Sequence, residues 1–173
     1  LSAVCVDAQT PTGAKPQSAA SSVAAPSQAR SEIPTGDDFV PVTKFDPTRD
    51  AATDIKLAVN EAARTGKRVL MDVGGEWCIW CHRMDDFFTA NPGLLKLRDA
   101  NFVMVKVNFS DENKNEALLA SYGTVAGYPH LFVLDSEGAV LHSQDTGLLE
   151  DGQKSYTLSK VEAFLKAWAP PIK

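Results

Sequence analysis

The stretch RVLMDVGGEWCIWCH, residues 68–82, carries most of what can be read from this chain. Its first seven residues, Arg68 to Gly74, are apolar enough for a buried strand, with Asp72 as the exception. Two glycines follow, then Trp77-Cys78-Ile79-Trp80-Cys81-His82. From Cys78 to Phe88 the pattern reads as a helix, with Met84, Phe87 and Phe88 as its core positions. The two cysteines therefore sit where a strand hands over to a helix. A helix N-terminus offers unpaired amide N–H groups and a partial positive charge, and both stabilise a thiolate. A cysteine placed there has a depressed pKa and attacks as a nucleophile near neutral pH. A second cysteine one turn on is close enough to resolve the mixed disulfide that results. Cys78 is expected to be the attacking thiol because it begins the helix, and Cys81, one turn deeper, the resolving thiol.

Other readings of a CxxC pair stand beside this one. A zinc site needs four ligands, and the remaining candidates are Cys5, His82, His130 and His142, so no metal is expected. CxxCH is also the attachment motif of c-type haem, with His82 as the iron ligand. An α/β alternation fits a haem pocket poorly, and no cofactor is expected. A structural disulfide is the third alternative.

Working outward, Asp46-Pro47 reads as a helix cap and first position, followed by Ala51, Ala52, Ile55, Val59, Ala62 and Ala63 at helical spacing up to Thr65-Gly66. Asn91-Pro92-Gly93 reads as a terminator. Phe102 to Phe109 is a second strand with Lys106 inside it, and Glu112 to Tyr122 a third helix. Leu131–Leu134 and Ala139–His142 form a hairpin around the turn at Asp135 to Gly138. Leu158, Val161, Phe164, Leu165 and Trp168 mark a last helix. The order implies an α/β fold with a mixed sheet flanked by helices.

From Gln9 to Gly36, 20 of 28 residues are Ala, Ser, Pro, Thr or Gly, too few large apolar groups to offset ordering entropy. Residues 1–36 are accordingly read as a signal remnant and a flexible linker, and 37–173 as the folded domain. LSAVCVDA at the start resembles the end of a secretory signal; Val4 before Cys5 fits lipoprotein processing poorly. The expected location is periplasmic or otherwise exported, in a bacterial envelope, with the spacer available as a tether. The chain of 173 residues has a formal net charge of -5, which argues against a nucleic-acid partner. No apolar run reaches the roughly 18 residues of a membrane helix.

With these residues in place, the chain resembles the thioredoxin superfamily. VLMDVGGEWCIWC is similar to the family's strand–loop–helix junction, including an acidic residue, Asp72, six positions before the first cysteine. Lys106 matches the lysine that often accompanies it. VAGYPHLFVLDSEGAVL resembles the family's cis-proline loop and hairpin, with Pro129 as the proline, and Gly147 matches a glycine beyond it. The resemblance covers roughly Phe45 to Ala169 and is nearest the WCxWC branch. It implies a thioredoxin-like fold and a thiol–disulfide oxidoreductase acting on protein substrates through a redox-active Cys78–Cys81 pair, with a redox partner protein. Asp72 is then a proton acceptor for Cys81, tuned by Lys106, or alternatively half of a satisfied buried salt bridge with Lys106. Trp77, Tyr128 and a cis Pro129 become substrate-binding residues, the Tyr128 backbone pairing with an extended peptide. Asp72 and Lys106 tilt the direction toward a reductase. Ile79-Trp80 between the cysteines, His82 after them, and Asp86 in place of a helix-kinking proline depart from the common pattern and leave the potential open. A non-catalytic peptide-binding module is the competing function.

Overall fold

A computed structural model describes residues 39–171, all within one compact unit, Ile33–Lys173. The readings placed on 1–36, including Cys5, the linker and the boundary at 36/37, lie outside the described residues.

Helix α1 spans Ala51–Thr65 and ends on Gly66, whose φ of 69° is the left-handed conformation that glycine adopts without penalty. Its N-cap is Asp50, not Asp46: the Asp50 carboxylate accepts from the Ala52 amide. Asp46 instead closes a turn by accepting from the Thr48 amide at 2.8 Å, so the aspartate-proline signal marks that turn. Strand β1 is Arg68–Gly74 and helix α2 is Ile79–Ala90, with Cys78 as its N-cap.

A helix not anticipated from sequence, α3 at Pro92–Asn101, follows directly. The carbonyl of Asn91 accepts from the amides of Leu94 and Leu95, so Asn91-Pro92 ends one helix and starts the next. Proline suits the first helical position because its missing N–H would be unpaired there anyway. Strand β2 is Phe102–Asn108. The helix expected over 112–122 shrinks to one turn, α4 at Glu116–Leu119. Asn115, at φ 49°, cannot continue a helix, and its side-chain amide donates to the Asn108 carbonyl instead. Strands β3, His130–Leu134, and β4, Val140–Asp145, form the hairpin, with β4 longer than expected. A 3-10 turn at Thr146–Leu149 leads to α5, Leu158–Ala167, whose C-cap is Trp168.

The sheet order is β2-β1-β3-β4. β1 and β2 run parallel with Asp72 opposite Lys106; β3 is antiparallel to β1 and to β4. Because side chains alternate along a strand, the sheet has two distinct faces. Met71, Val73, Val105, Val107, Phe132 and Leu134 pack under α1. Leu70, Leu131 and Val133 pack with α2, α3 and α5, and Asp72 shares their side of β1. Among the described residues no helix is long and apolar enough to cross a membrane.

Candidate active site

Cys78 and Cys81 form a disulfide across the first turn of α2, with their Cα atoms 5.2 Å apart. Cys78 is 3% exposed and Cys81 0%, so the sulfur at the helix tip is the more accessible of two sheltered ones. The Cys81 amide donates to Cys78 Sγ at 3.1 Å. The helix terminus thus aims an N–H at the sulfur that would carry negative charge once the bond opens. The Glu76-Trp77 approach leaves little room. A Cβ on Gly74 would overlap Cys81 Sγ, and one on Gly75 would meet the Trp77 indole and lie 2.8 Å from the Phe109 carbonyl. The Gly74-Gly75 pair is therefore a packing requirement, and a double glycine at a strand end is the sequence signal for such close approach.

Asp72 lies two residues before Gly74, on the same side of β1, and is buried. The alternative reading, a satisfied buried salt bridge with Lys106, describes only part of what is there. Lys106 Nζ stands 3.6 Å from Asp72 Oδ2 but donates to both oxygens of Asp85, at 2.8 and 2.6 Å. Asp72 Oδ1 has no hydrogen-bond partner among the described residues. Asp85, one turn beyond Cys81 on α2, takes most of the lysine. Burial pushes the Asp72 carboxyl up to about 6; the Lys106 ammonium opposes this and the Asp85 charge reinforces it. An acid titrating there is able to hold or release a proton at neutral pH.

The Tyr128–Pro129 peptide is cis. Thr146, buried in the 3-10 turn, donates its hydroxyl to the Pro129 carbonyl at 2.5 Å and so ties that turn to the loop. Trp77 is 58% exposed, its indole N–H donating to the Phe109 carbonyl at 2.7 Å. Its ring meets Tyr128 edge-on at 5.4 Å, and Tyr128 stacks on Phe109 at 4.9 Å. Trp77, Tyr128 and Pro129 are thus on one side of the cysteine pair, with Trp77 presented to solvent. Trp80 faces inward against Tyr156, with the Arg83 guanidinium 4.4 Å from its ring centre. His82 Nε2–H donates to the Glu76 carbonyl at 2.8 Å, which occupies the nitrogen that the haem alternative would use.

Phe45 is the residue that sequence reasoning passed over. It is buried against both cysteines, its ring centre 4.3 Å from Lys106 Nζ. Its 33-residue separation from Cys78 leaves no local pattern by which to find it.

Comparison with known proteins agrees with this geometry. The family described as thioredoxin-like matches residues 37–136. The disulfide bond reductase DsbH of Chlamydia pneumoniae is 31% identical over 105 residues, 56% of this chain and 61% of that protein. The thiol:disulfide interchange protein DsbD of Actinobacillus pleuropneumoniae is 30% identical over 93 residues, 53% of this chain but 16% of that protein. The chain thus spans less than two thirds of the length of either relative. A disulphide isomerase from Xylella fastidiosa Temecula1 superposes with a TM-score of 0.62 at 25% identity, covering 75% of this chain and 98% of that one. Since the match from 37 to 136 runs over more than half of the chain and takes in β1 with its aspartate, the cysteine pair and the cis-proline loop, the chain belongs to the thioredoxin-like family.

Proposed function

We propose that this protein is a thiol–disulfide oxidoreductase that reduces disulfides in other proteins. The observation that carries the reading is a disulfide whose outer sulfur, Cys78 Sγ, caps a helix and accepts an amide N–H there. In the reduced pair, the Cys78 thiolate attacks one sulfur of a substrate disulfide. A Cys78–substrate bond forms, and the departing substrate sulfur takes up a proton from solvent. Cys81 then passes its proton to the carboxylate of Asp72, and the Cys81 thiolate attacks Cys78 Sγ. The second substrate sulfur leaves as a thiolate and takes up, through solvent, the proton that Asp72 releases, and the two electrons of the pair have moved to the substrate. The Cys78–Cys81 disulfide is regenerated, to be reduced by the dithiol of a partner protein.

Lys106 tunes Asp72 in this scheme. Trp77 and the Tyr128–Pro129 loop hold the polypeptide around the disulfide, the Tyr128 backbone pairing with an extended segment. The reductive direction is supported by the buried acid next to the lysine and by the name of the Chlamydia pneumoniae relative, a disulfide bond reductase. We place the activity in an exported compartment, where protein disulfides form and persist. The N-terminal stretch up to residue 36 serves there as a spacer to the domain.

The test is disulfide exchange on a protein substrate such as insulin, followed by trapping. Cys78→Ser should abolish exchange, and Cys81→Ser should accumulate mixed disulfides on Cys78. Full exchange by the Cys78 variant would overturn the reading. Peptide binding that persists in the double-serine variant, with no exchange by the wild type, would favour a binding module instead.

A further inference from the structure

The segment before α1 has no place in the exchange chemistry described so far, yet it is fastened to the active site at three points. The Val42 carbonyl accepts from the Lys106 amide at 3.1 Å, and Val42 bridges Val105 as an added parallel rung. The Phe45 amide donates to Glu76 Oε1 at 3.1 Å, from the loop that leads into the cysteines. The Pro47 carbonyl accepts from the Asn113 side-chain amide at 3.0 Å. Between the outer two ties the strap delivers one large side chain inward. The Phe45 ring packs on Cys78 and Cys81, and a Cβ on Gly74 would already lie 3.0 Å from its Cζ. The face of the same ring receives the Lys106 ammonium at 4.3 Å.

We infer that Phe45 is a positioning residue for the exchange reaction: its ring is the wall that keeps water from Cys81, Lys106 and Asp72 on the side of the strap. The physical case rests on what the ring replaces. A buried lysine beside an apolar wall loses its water, and an aromatic face returns part of that loss through its negative quadrupole. Water comes nearest at a cleft where Asp85 is half exposed, lined by Val42 and Thr43 of the strap together with Lys106, Arg98 and Met104. Phe45 therefore stands between the strap and a carboxyl that is itself buried, and removing the ring opens a path for water to Lys106 and Asp72. Desolvation is the largest influence on the proton affinity of Asp72. The charged and titratable groups around that carboxyl come from every neighbouring layer: Lys106 on β2, Asp85 on α2, Arg98 on α3 and the Tyr156 phenol. Lys106 touches the ring; the Phe45→Leu variant keeps an apolar wall without the aromatic face and so separates the effect of water from that of the lysine.

The inference rests on the exchange reading only for its consequence, since the titration is measurable without catalysis. In the oxidised full chain, the Asp72 carboxyl is followed by carbon NMR as a function of pH in wild type, Phe45→Ala and Phe45→Leu. The alanine variant should move the Asp72 midpoint down by about one pH unit, and leucine should restore it to within half a unit. In the reduced chain, the pH midpoint of protein-disulfide exchange should move with the NMR midpoint. An unchanged Asp72 midpoint in Phe45→Ala overturns the inference, whether or not stability falls. A shifted midpoint in a protein that performs no exchange leaves the inference standing and removes the proposed function. If Phe45→Ala does not fold, Glu76→Ala releases the strap from an exposed carboxylate. Faster hydrogen exchange at the Phe45 amide together with a lowered Asp72 midpoint supports the wall; faster exchange with an unmoved midpoint overturns it.

Discussion

The two faces of the sheet are built from the same three strands, yet they do opposite things. Under α1, the side chains of Met71, Val73, Val105, Val107, Phe132 and Leu134 form an apolar layer. On the other side of β1 and β2, one residue along in each strand, Asp72 and Lys106 interrupt the layer formed by Leu70, Leu131 and Val133. The first face gains stability wherever it excludes water. The second loses some by burying a carboxyl without a full set of partners, and it is the face that meets the cysteines. Stability and chemistry are divided between alternate residues of a single strand.

The comparison breaks if the apolar face proves tolerant. Phe132→Ala should cost about 3–5 kcal/mol of unfolding free energy, as large core truncations do, with the pH profile of exchange unmoved. Denaturant unfolding measures it, and a loss under about 1 kcal/mol would show that the α1 face is not the stabilising one.

The second face should respond with the opposite sign. The folded-state value of Asp72 is raised, to about 6, so the folded protein binds its proton more tightly than the unfolded chain. Below the ordinary carboxylate range both states are protonated and the group costs nothing. As pH rises from the ordinary carboxylate range to about 6 the unfolded chain gives up its proton first and stability falls; above 6 both states are ionised and it levels off. Asp72→Asn should therefore stabilise the protein above pH 6 by roughly 3 kcal/mol and change nothing at pH 3. The same variant should slow resolution, so that mixed disulfides on Cys78 persist. A variant less stable than wild type at pH 8 would mean that Asp72 is held by its pairing with Lys106.

His130 gives the smallest effect and the reverse slope. It stands at the edge of the α1 face, 4.7 Å from the Phe132 ring centre, with Nε2 2.8 Å from Ser143 Oγ and Nδ1 unpartnered among the described residues. Burial pulls its pKa below the ordinary value, with Asp145 opposing and His142 reinforcing. A depressed imidazole contributes stability that is present at neutral pH and is lost as pH falls below the usual histidine range. His130→Gln should flatten stability between pH 7 and pH 5, which thermal unfolding across that range would detect. An unaltered slope would assign the acid sensitivity to other groups.

Much of this was legible in one dimension because it depends on neighbours along the chain. Strands β1, β2 and β3 are short apolar runs, α1 and α5 carry helical stripes, and the cysteine pair marks the strand-to-helix junction where its chemistry is supported. Elements were misread where one local signal had two meanings. Asn91-Pro92-Gly93 stops a helix and starts another, and Asp46 resembles a cap but closes a turn four residues too early. The helix expected from Glu112 to Tyr122 keeps only the turn Glu116–Leu119, because Asn115 takes a left-handed conformation that its side-chain bond to Asn108 rewards.

The site divides along the same line. The identity of the working groups is a matter of residue type and spacing: a thiol at a helix tip, a second one turn deeper, a carboxyl in an apolar strand. How strongly each group holds its proton is not, because that depends on distance and on water. Lys106 had two carboxylates within reach, and it donates to Asp85 of α2 while standing 3.6 Å from Asp72. Phe45 reaches the cysteines because three hydrogen bonds press a remote strap against them. Electrostatics and desolvation act through space and have no period along the chain, so the fold alone sets them.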